Sequence, residues 1–213
     1  AEILSACKDC DAGKQSNMIG TQASDCVDCV RGKYQSTSKQ TQCVACAVGK
    51  YGGLSGKSSE TEACTACVLG RWSSVTGYDG VVKSGTAAAC IACGKGKYNN
   101  VAGQDDISDC KTCDAGKYNA ETGQDDISDC ISCLAGKYSA AAGADSADKC
   151  LDCGIGKASA IVASSASSDC ETCEDGYNQP TAGQSACILN QCTCTSGVSH
   201  AASGTGCATT GTA

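Results

Sequence analysis

Cysteines two residues apart are the residues of this chain best placed to do chemistry. C-x-x-C occurs nine times, starting at Cys7, Cys26, Cys43, Cys64, Cys90, Cys110, Cys130, Cys150 and Cys170. Two such pairs can hold zinc through four thiolates, and the pairs at Cys26–Cys29 and Cys43–Cys46, thirteen residues apart, come close to that spacing. A single pair can be a redox centre, but that chemistry needs a helix N-terminus and a βαβ context, and nothing in the sequence supplies either. The remaining chemistry is the structural disulfide of a secreted protein. Zinc thiolates and structural disulfides belong to opposite redox compartments.

The spacing favours disulfides. Successive pairs are separated by steps of 19, 17, 21, 26, 20, 20, 20 and 20 residues. A zinc array would group its pairs two by two, and an odd number of pairs would leave one over. Evenly spaced pairs suit a chain of links, in which one cysteine of each pair bonds backward and the other forward. Zinc stays as the minority reading.

Composition demands some such staple. Leu, Ile, Val and Phe number 6, 9, 11 and 0 of 213 residues, and Trp occurs once. A chain this poor in aliphatic and aromatic side chains cannot offset its conformational entropy by burial alone. It holds 22 cysteines, 26 glycines and a formal charge of -7. The acidic balance argues against nucleic-acid binding, and no apolar run approaches the length of a membrane span. The chain begins without Met or a signal-like segment and ends in a Thr/Gly stretch, which is expected of a mature form or a fragment.

The elements that carry the cysteines are repeated. GQDDISDC stands at Gly103–Cys110 and again at Gly123–Cys130. Each pair is followed by one phrase, as in VRGKY at 30–34, VLGRW at 68–72 and LAGKY at 134–138. The unit is C-x-x-C-x-x-G-[KR]-aromatic, then a polar stretch with a second glycine turn. Glycine suits a turn with positive φ, and the aromatic suits a short strand. Each unit therefore reads as a short, irregular β-hairpin closed at its base. The fold class expected is small and disulfide-rich: an elongated rod of about nine tandem hairpin units on a disulfide ladder, each touching mainly its neighbours. The long step from Cys64 to Cys90 holds an insertion around Trp72–Thr86, read as a surface loop.

The phrase C-x-x-C-x-x-G-K-Y resembles the ephrin-receptor-like cysteine-rich repeats and the related modules of tumour-necrosis-factor receptors, as found in extracellular repeat proteins of protists. The resemblance covers about Cys7 to Cys187, and residues 1–187 are read as the tandem array. It departs from the family in lacking proline between the second cysteine and the glycine; the only proline is Pro180. The resemblance implies links Cys10–Cys26, Cys29–Cys43, Cys46–Cys64, Cys67–Cys90, Cys93–Cys110, Cys113–Cys130, Cys133–Cys150, Cys153–Cys170 and Cys173–Cys187. Residues 188–213 look like a truncated EGF-like fragment, with Cys194–Cys207 expected to pair and Cys7 and Cys192 unassigned.

Three groups of side chains are candidates for binding. Lys14, Lys33, Lys50, Arg71, Lys97, Lys117, Lys137 and Lys157 occupy one repeat position and are half of the 16 basic residues. They form either an interaction stripe for an acidic subunit or polysaccharide, or solvated heads on stems packed against the aromatic. Asp105, Asp106 and Asp109, with Asp125, Asp126 and Asp129, are weak calcium candidates; their spacing matches no EF-hand loop, and aspartate is common in turns. His200, the only histidine, reads as a solvated loop residue. No N-glycosylation sequon occurs, while clusters such as Ser164, Ser165, Ser167 and Ser168 are candidates for O-linked glycan. No nucleophile–base pair, phosphate loop or carboxylate pair stands out, so no enzyme and no cofactor are expected.

These readings point to a secreted or cell-surface protein in an oxidising compartment. The leading function is an extracellular structural protein, a segment or subunit of a filament, flagellar hair, sheath or wall that associates with itself or with related subunits of a fibre. The alternative is the stalk or ligand-binding ectodomain of a cell-surface receptor.

Overall fold

The computed structural model describes residues 9–16, 26–80, 90–193 and 199–201. The chain divides into two compact units, residues 1–111 with 122–129 and residues 112–121 with 130–213. The same unit of structure recurs within each. Ten two-stranded sheets are present among the described residues, and nine of them belong to the cysteine repeats.

In the first unit β1 (Lys14–Ser16) pairs with β2 (Cys26–Asp28), β3 (Lys33–Tyr34) with β4 (Val44–Ala45), β5 (Lys50–Tyr51) with β6 (Thr65–Ala66), and β7 (Arg71–Trp72) with β8 (Ile91–Ala92). β9 (Lys97–Tyr98) pairs with β10 (Lys111–Thr112). In the second unit β11 (Lys117–Tyr118) pairs with β12 (Ile131–Ser132), β13 (Lys137–Tyr138) with β14 (Leu151–Asp152), β15 (Lys157–Ala158) with β16 (Glu171–Thr172), and β17 (Tyr177–Asn178) with β18 (Ile188–Leu189). A last hairpin joins β19 (Gln191–Thr193) to β20 (Ser199–Ala201). Helix among the described residues is confined to one turn, α1 (Glu60–Ala63), and to single 3-10 turns such as Ile107–Asp109 and Ala147–Lys149.

Nine disulfides close these hairpins: Cys10–Cys26, Cys29–Cys43, Cys46–Cys64, Cys67–Cys90, Cys93–Cys110, Cys113–Cys130, Cys133–Cys150, Cys153–Cys170 and Cys173–Cys187. They are also the core. Cys29, Cys46, Cys67, Cys93, Cys113, Cys133 and Cys153 are at most 1% exposed. The pair expected at Cys194–Cys207, and the partners of Cys7 and of the Cys192 side chain, lie outside the described residues.

Within each unit, backbone hydrogen bonds tie one repeat to the next in one register. The residue after the aromatic does most of this. Its carbonyl accepts from the glycine N–H of the preceding repeat, as in Gly49 to Ser73 (2.7 Å), Gly70 to Asn99 (2.8 Å) and Gly136 to Ser159 (2.7 Å). Its own N–H donates onward, as from Ser73 to Gln104 (3.0 Å) and from Ser139 to Ser164 (3.0 Å).

Packing also reaches the next repeat but one, beyond the neighbour contacts expected of such an array. A Cβ placed on Gly13, Gly32, Gly49, Gly70, Gly116 or Gly136 would lie 2.0–2.5 Å from the carbonyl oxygen of Gly56, Gly77, Gly103, Gly123, Ala163 or Gly183 respectively. These glycines have positive φ, and the approach leaves no room for a side chain. The facing turn has positive φ too, including the non-glycine Ala163 at 62°. The start of the Cys67–Cys90 insertion is no free surface loop either, since the Tyr78 carbonyl accepts from the Gly52 N–H at 2.9 Å.

Gly136→Ala should destabilise the disulfide-intact protein by about 3 kcal/mol or more, since both φ and the Gly183 carbonyl oppose the methyl. Gly154→Ala, with nothing among the described residues within 4 Å of its Cβ, should cost less than about 0.5 kcal/mol. Non-reducing denaturant melts check this; equal melts would contradict the close approach.

Candidate interaction surface

Apart from its sulfurs, three alanines and Tyr98, the inside of the array is polar. Gln35, Ser73, Asn99, Asn119, Ser139, Ser159 and Gln179 are all buried. Each follows the aromatic, or Ala158 or Asn178 in its place. Asn99 shows how such a group is satisfied: its Nδ2 donates to the Arg71 carbonyl at 3.1 Å, and its Oδ1 accepts from the Val101 N–H at 3.0 Å. Gln35 and Gln179 each donate at 2.6 Å across their own loop, to the Gln42 and Ala186 carbonyls. No buried side-chain nitrogen or oxygen among the described residues lacks a partner. In the Cys46–Cys64 loop the same position is Gly52, where a Cβ would meet the Gly32 N at 2.7 Å. Sequence reasoning missed this column. Its signal is there, since the third residue after the glycine of each repeat phrase is always Asn, Gln, Ser or Gly.

The aliphatic side chains are outside. Val30, Leu134 and Ile155 are 63%, 70% and 73% exposed. The first residue between paired cysteines also faces out, at Val44, Ile131 and Leu151. Across the strands these residues sit opposite an aromatic, as Tyr34–Val44, Tyr118–Ile131 and Tyr138–Leu151. Cross-strand pairs of this kind add roughly 0.2–1 kcal/mol each.

The cations of the repeated Gly-[KR] position meet different surroundings. Lys14 pairs with Asp28 at 2.7 Å, Lys50 with Glu60 at 2.7 Å, and Lys137 with Asp152. The hydrogen bond to Asp28, with its charge, holds the Lys14 ammonium above the ordinary lysine range. Arg71 donates to the Cys90 carbonyl at 2.9 Å. Lys33 and Lys117 lie opposite Ala45 and Ser132, which carry no charge. Ion pairs this exposed add little stability.

The two aspartate clusters fold into caps. The Asp106 carboxylate accepts from the Ser108 N–H at 2.8 Å, and Asp109 accepts from the N–H groups of Asp105 and Asp106 at 3.3 and 3.0 Å. Asp126 and Asp129 repeat the pattern on Ser128, Asp125 and Asp126. Among the described residues no three His, Cys, Asp or Glu side chains are grouped to hold a metal ion. His200 lies in β20, opposite Cys192.

The backbone hydrogen bond from Ser108, and then the Ser108 side chain, lower the Asp106 pKa; Ser128 does the same for Asp126. A depressed carboxylate contributes stability above the unfolded-state value, about 4. That contribution disappears as pH falls through the lower folded-state value. Carboxyl NMR titration should give midpoints below the ordinary aspartate value for both; ordinary midpoints would contradict these caps. In a third copy of the turn Lys149 stands where Asp109 and Asp129 cap. Lys149→Asp should restore two amide partners and raise stability by about 1 kcal/mol, read by thermal melting.

Among known proteins, residues 17–62 match the family described as tyrosine-protein kinase ephrin type A/B receptor-like. No curated protein matches the chain. Repeats of that type are non-catalytic extracellular domains, and a ladder of nine disulfides fits an oxidising compartment. No helix among the described residues is long and apolar enough to cross a membrane. The glycine turn, the short hairpin and the disulfide link within the matched span recur as far as Cys187, and the match together with this repeated pattern supports an ephrin-receptor-like cysteine-rich repeat.

Proposed function

We propose that the chain is an extracellular structural protein, a disulfide-laddered rod that forms a segment or subunit of a filament, flagellar hair, sheath or wall. The observation that carries this reading is the single register of backbone bonds from repeat to repeat within each unit. Repeats joined this way add length without adding a site. The close glycine approaches supply stiffness, because a packed backbone cannot bend without breaking hydrogen bonds. Outward Val, Ile and Leu on successive hairpins supply the surface by which such rods would meet a copy or a related subunit. On this reading the protein is no enzyme.

A second reading, the stalk or ligand-binding ectodomain of a cell-surface receptor, is favoured by the receptor-like family of residues 17–62. Self-association separates the two. Electron microscopy of native protein, held in EDTA without reductant, should show laterally or axially joined rods, and light scattering should show mass rising with concentration. Isolated monomers across physiological salt would overturn the structural reading in favour of the receptor-type one.

A further inference from the structure

The Cys67–Cys90 loop departs from the period of the array. Its cysteines are 23 residues apart in sequence, against 17 in the four rungs that follow. The lattice itself is undisturbed up to Gly77. The Gly77 N–H donates to the Cys46 carbonyl at 2.8 Å, as Gly103 does to Cys67, and its carbonyl oxygen would stand 2.2 Å from a Cβ on Gly32. The extra residues follow Gly77. An insertion of this kind in a repeat array is where a binding face is expected.

Its first residues and the turn after Cys29 bound an open cleft of about 550 Å³. The walls include Val30, Arg31, Lys33, Thr76, Tyr78 and Asp79. Gly77, which lines the cleft, is held by the close approach of its backbone to Gly32. Arg31 and Lys33 make no ion pair among the described residues, unlike Lys14, Lys50 and Lys137. Lys33 faces Ala45 across its hairpin, so its own repeat offers no carboxylate. The wall also carries one acidic residue, Asp79, which makes an interaction of its own.

We propose that this cleft binds an acidic sugar, a uronate or sulfated unit of an extracellular polysaccharide. A guanidinium offers paired donors to a carboxylate or sulfate, and the lysine adds a second positive charge. Tyr78 adds an aromatic side chain to the lining and Thr76 a hydroxyl, both suited to a sugar ring and its oxygens. The volume holds one or two sugar units. A peptide ligand is disfavoured because the nearby strand edge is occupied: Tyr34 is bridged to Lys57, and the Gln35 N–H donates to the Lys57 carbonyl at 3.1 Å. The proposal is independent of whether the whole protein is a filament subunit or a receptor stalk.

The test is calorimetric titration of the full, disulfide-intact chain with three probes: trigalacturonate, a fully sulfated heparin disaccharide and tetraglutamate peptide. The variants are Arg31→Gln with Lys33→Gln, and a charge-matched control, Lys111→Gln with Lys149→Gln, neither of which lines the cleft. At least one sugar should bind the natural chain and the control alike, and bind the cleft variant about tenfold or more weaker. Equal weakening in both variants would mean diffuse attraction to positive charge and overturn the site. Absence of binding by both sugars would overturn it too. Binding of tetraglutamate in preference to the sugars, lost in the cleft variant, would replace the sugar with an acidic peptide.

Discussion

The structure depends on cross-links that take the place of a hydrophobic core. Each disulfide closes a loop whose cysteines stand 14 to 23 residues apart. In the chain-entropy account, one such closure is worth roughly 3 kcal/mol. The cysteine just before each glycine turn is buried in nearly every rung, while most Val, Ile and Leu side chains face water. This inverts the usual arrangement of a globular domain. Disulfides in this number form and persist in an oxidising compartment.

Cross-links alone would leave the loops between them slack. What orders them is a close-packed backbone. Glycine turns meet a carbonyl of the next repeat but one, so the array is one-dimensional with a range of two repeats. That range fixes the residue types around it. The second residue between paired cysteines stays short, because the following turn lies on it: the Ala66 and Ala92 Cβ atoms would be 3.6 and 3.5 Å from a Cβ on Gly103 and Gly123. The residue after the aromatic is polar because its loop must be held from inside. A buried amide or hydroxyl that accepts from the N–H two residues on holds it without an apolar side chain.

The sequence carried the ladder and the hairpins openly, because they are written in residue types with strong preferences at a fixed period. Cysteine pairs, a glycine three residues on and an aromatic strand residue leave few other arrangements. The polar column was less legible. Asn, Gln and Ser look alike on a surface and in a turn, and only the backbone geometry shows that Asn99 and Asn119 are enclosed. The aspartates were ambiguous for a similar reason. An aspartate in a turn has the same local composition whether or not it caps, and only the geometry shows Asp109 accepting from the amides of Asp105 and Asp106. The range-two approach was invisible in sequence, since glycine at the turn is explained as well by positive φ alone.

Where specificity can reside follows from what the lattice consumes. It uses the cysteines, both glycine turns, the short residue between the cysteines and the polar residue after the aromatic. It leaves the outward aliphatic, the lysine head and the length of loop beyond the second turn. These vary along the array: Lys14 and Lys137 meet aspartate where Lys33 and Lys117 do not, and Leu134 stands where Gly94 and Gly154 do. The second turn of the Cys67–Cys90 loop, at Gly77, still seats on Gly32 despite the insertion, so added residues there change the surface without a cost to the lattice. A ladder of this design can therefore keep one architecture while each repeat presents a different face, and the repeat that breaks the period is the one freest to carry a binding function.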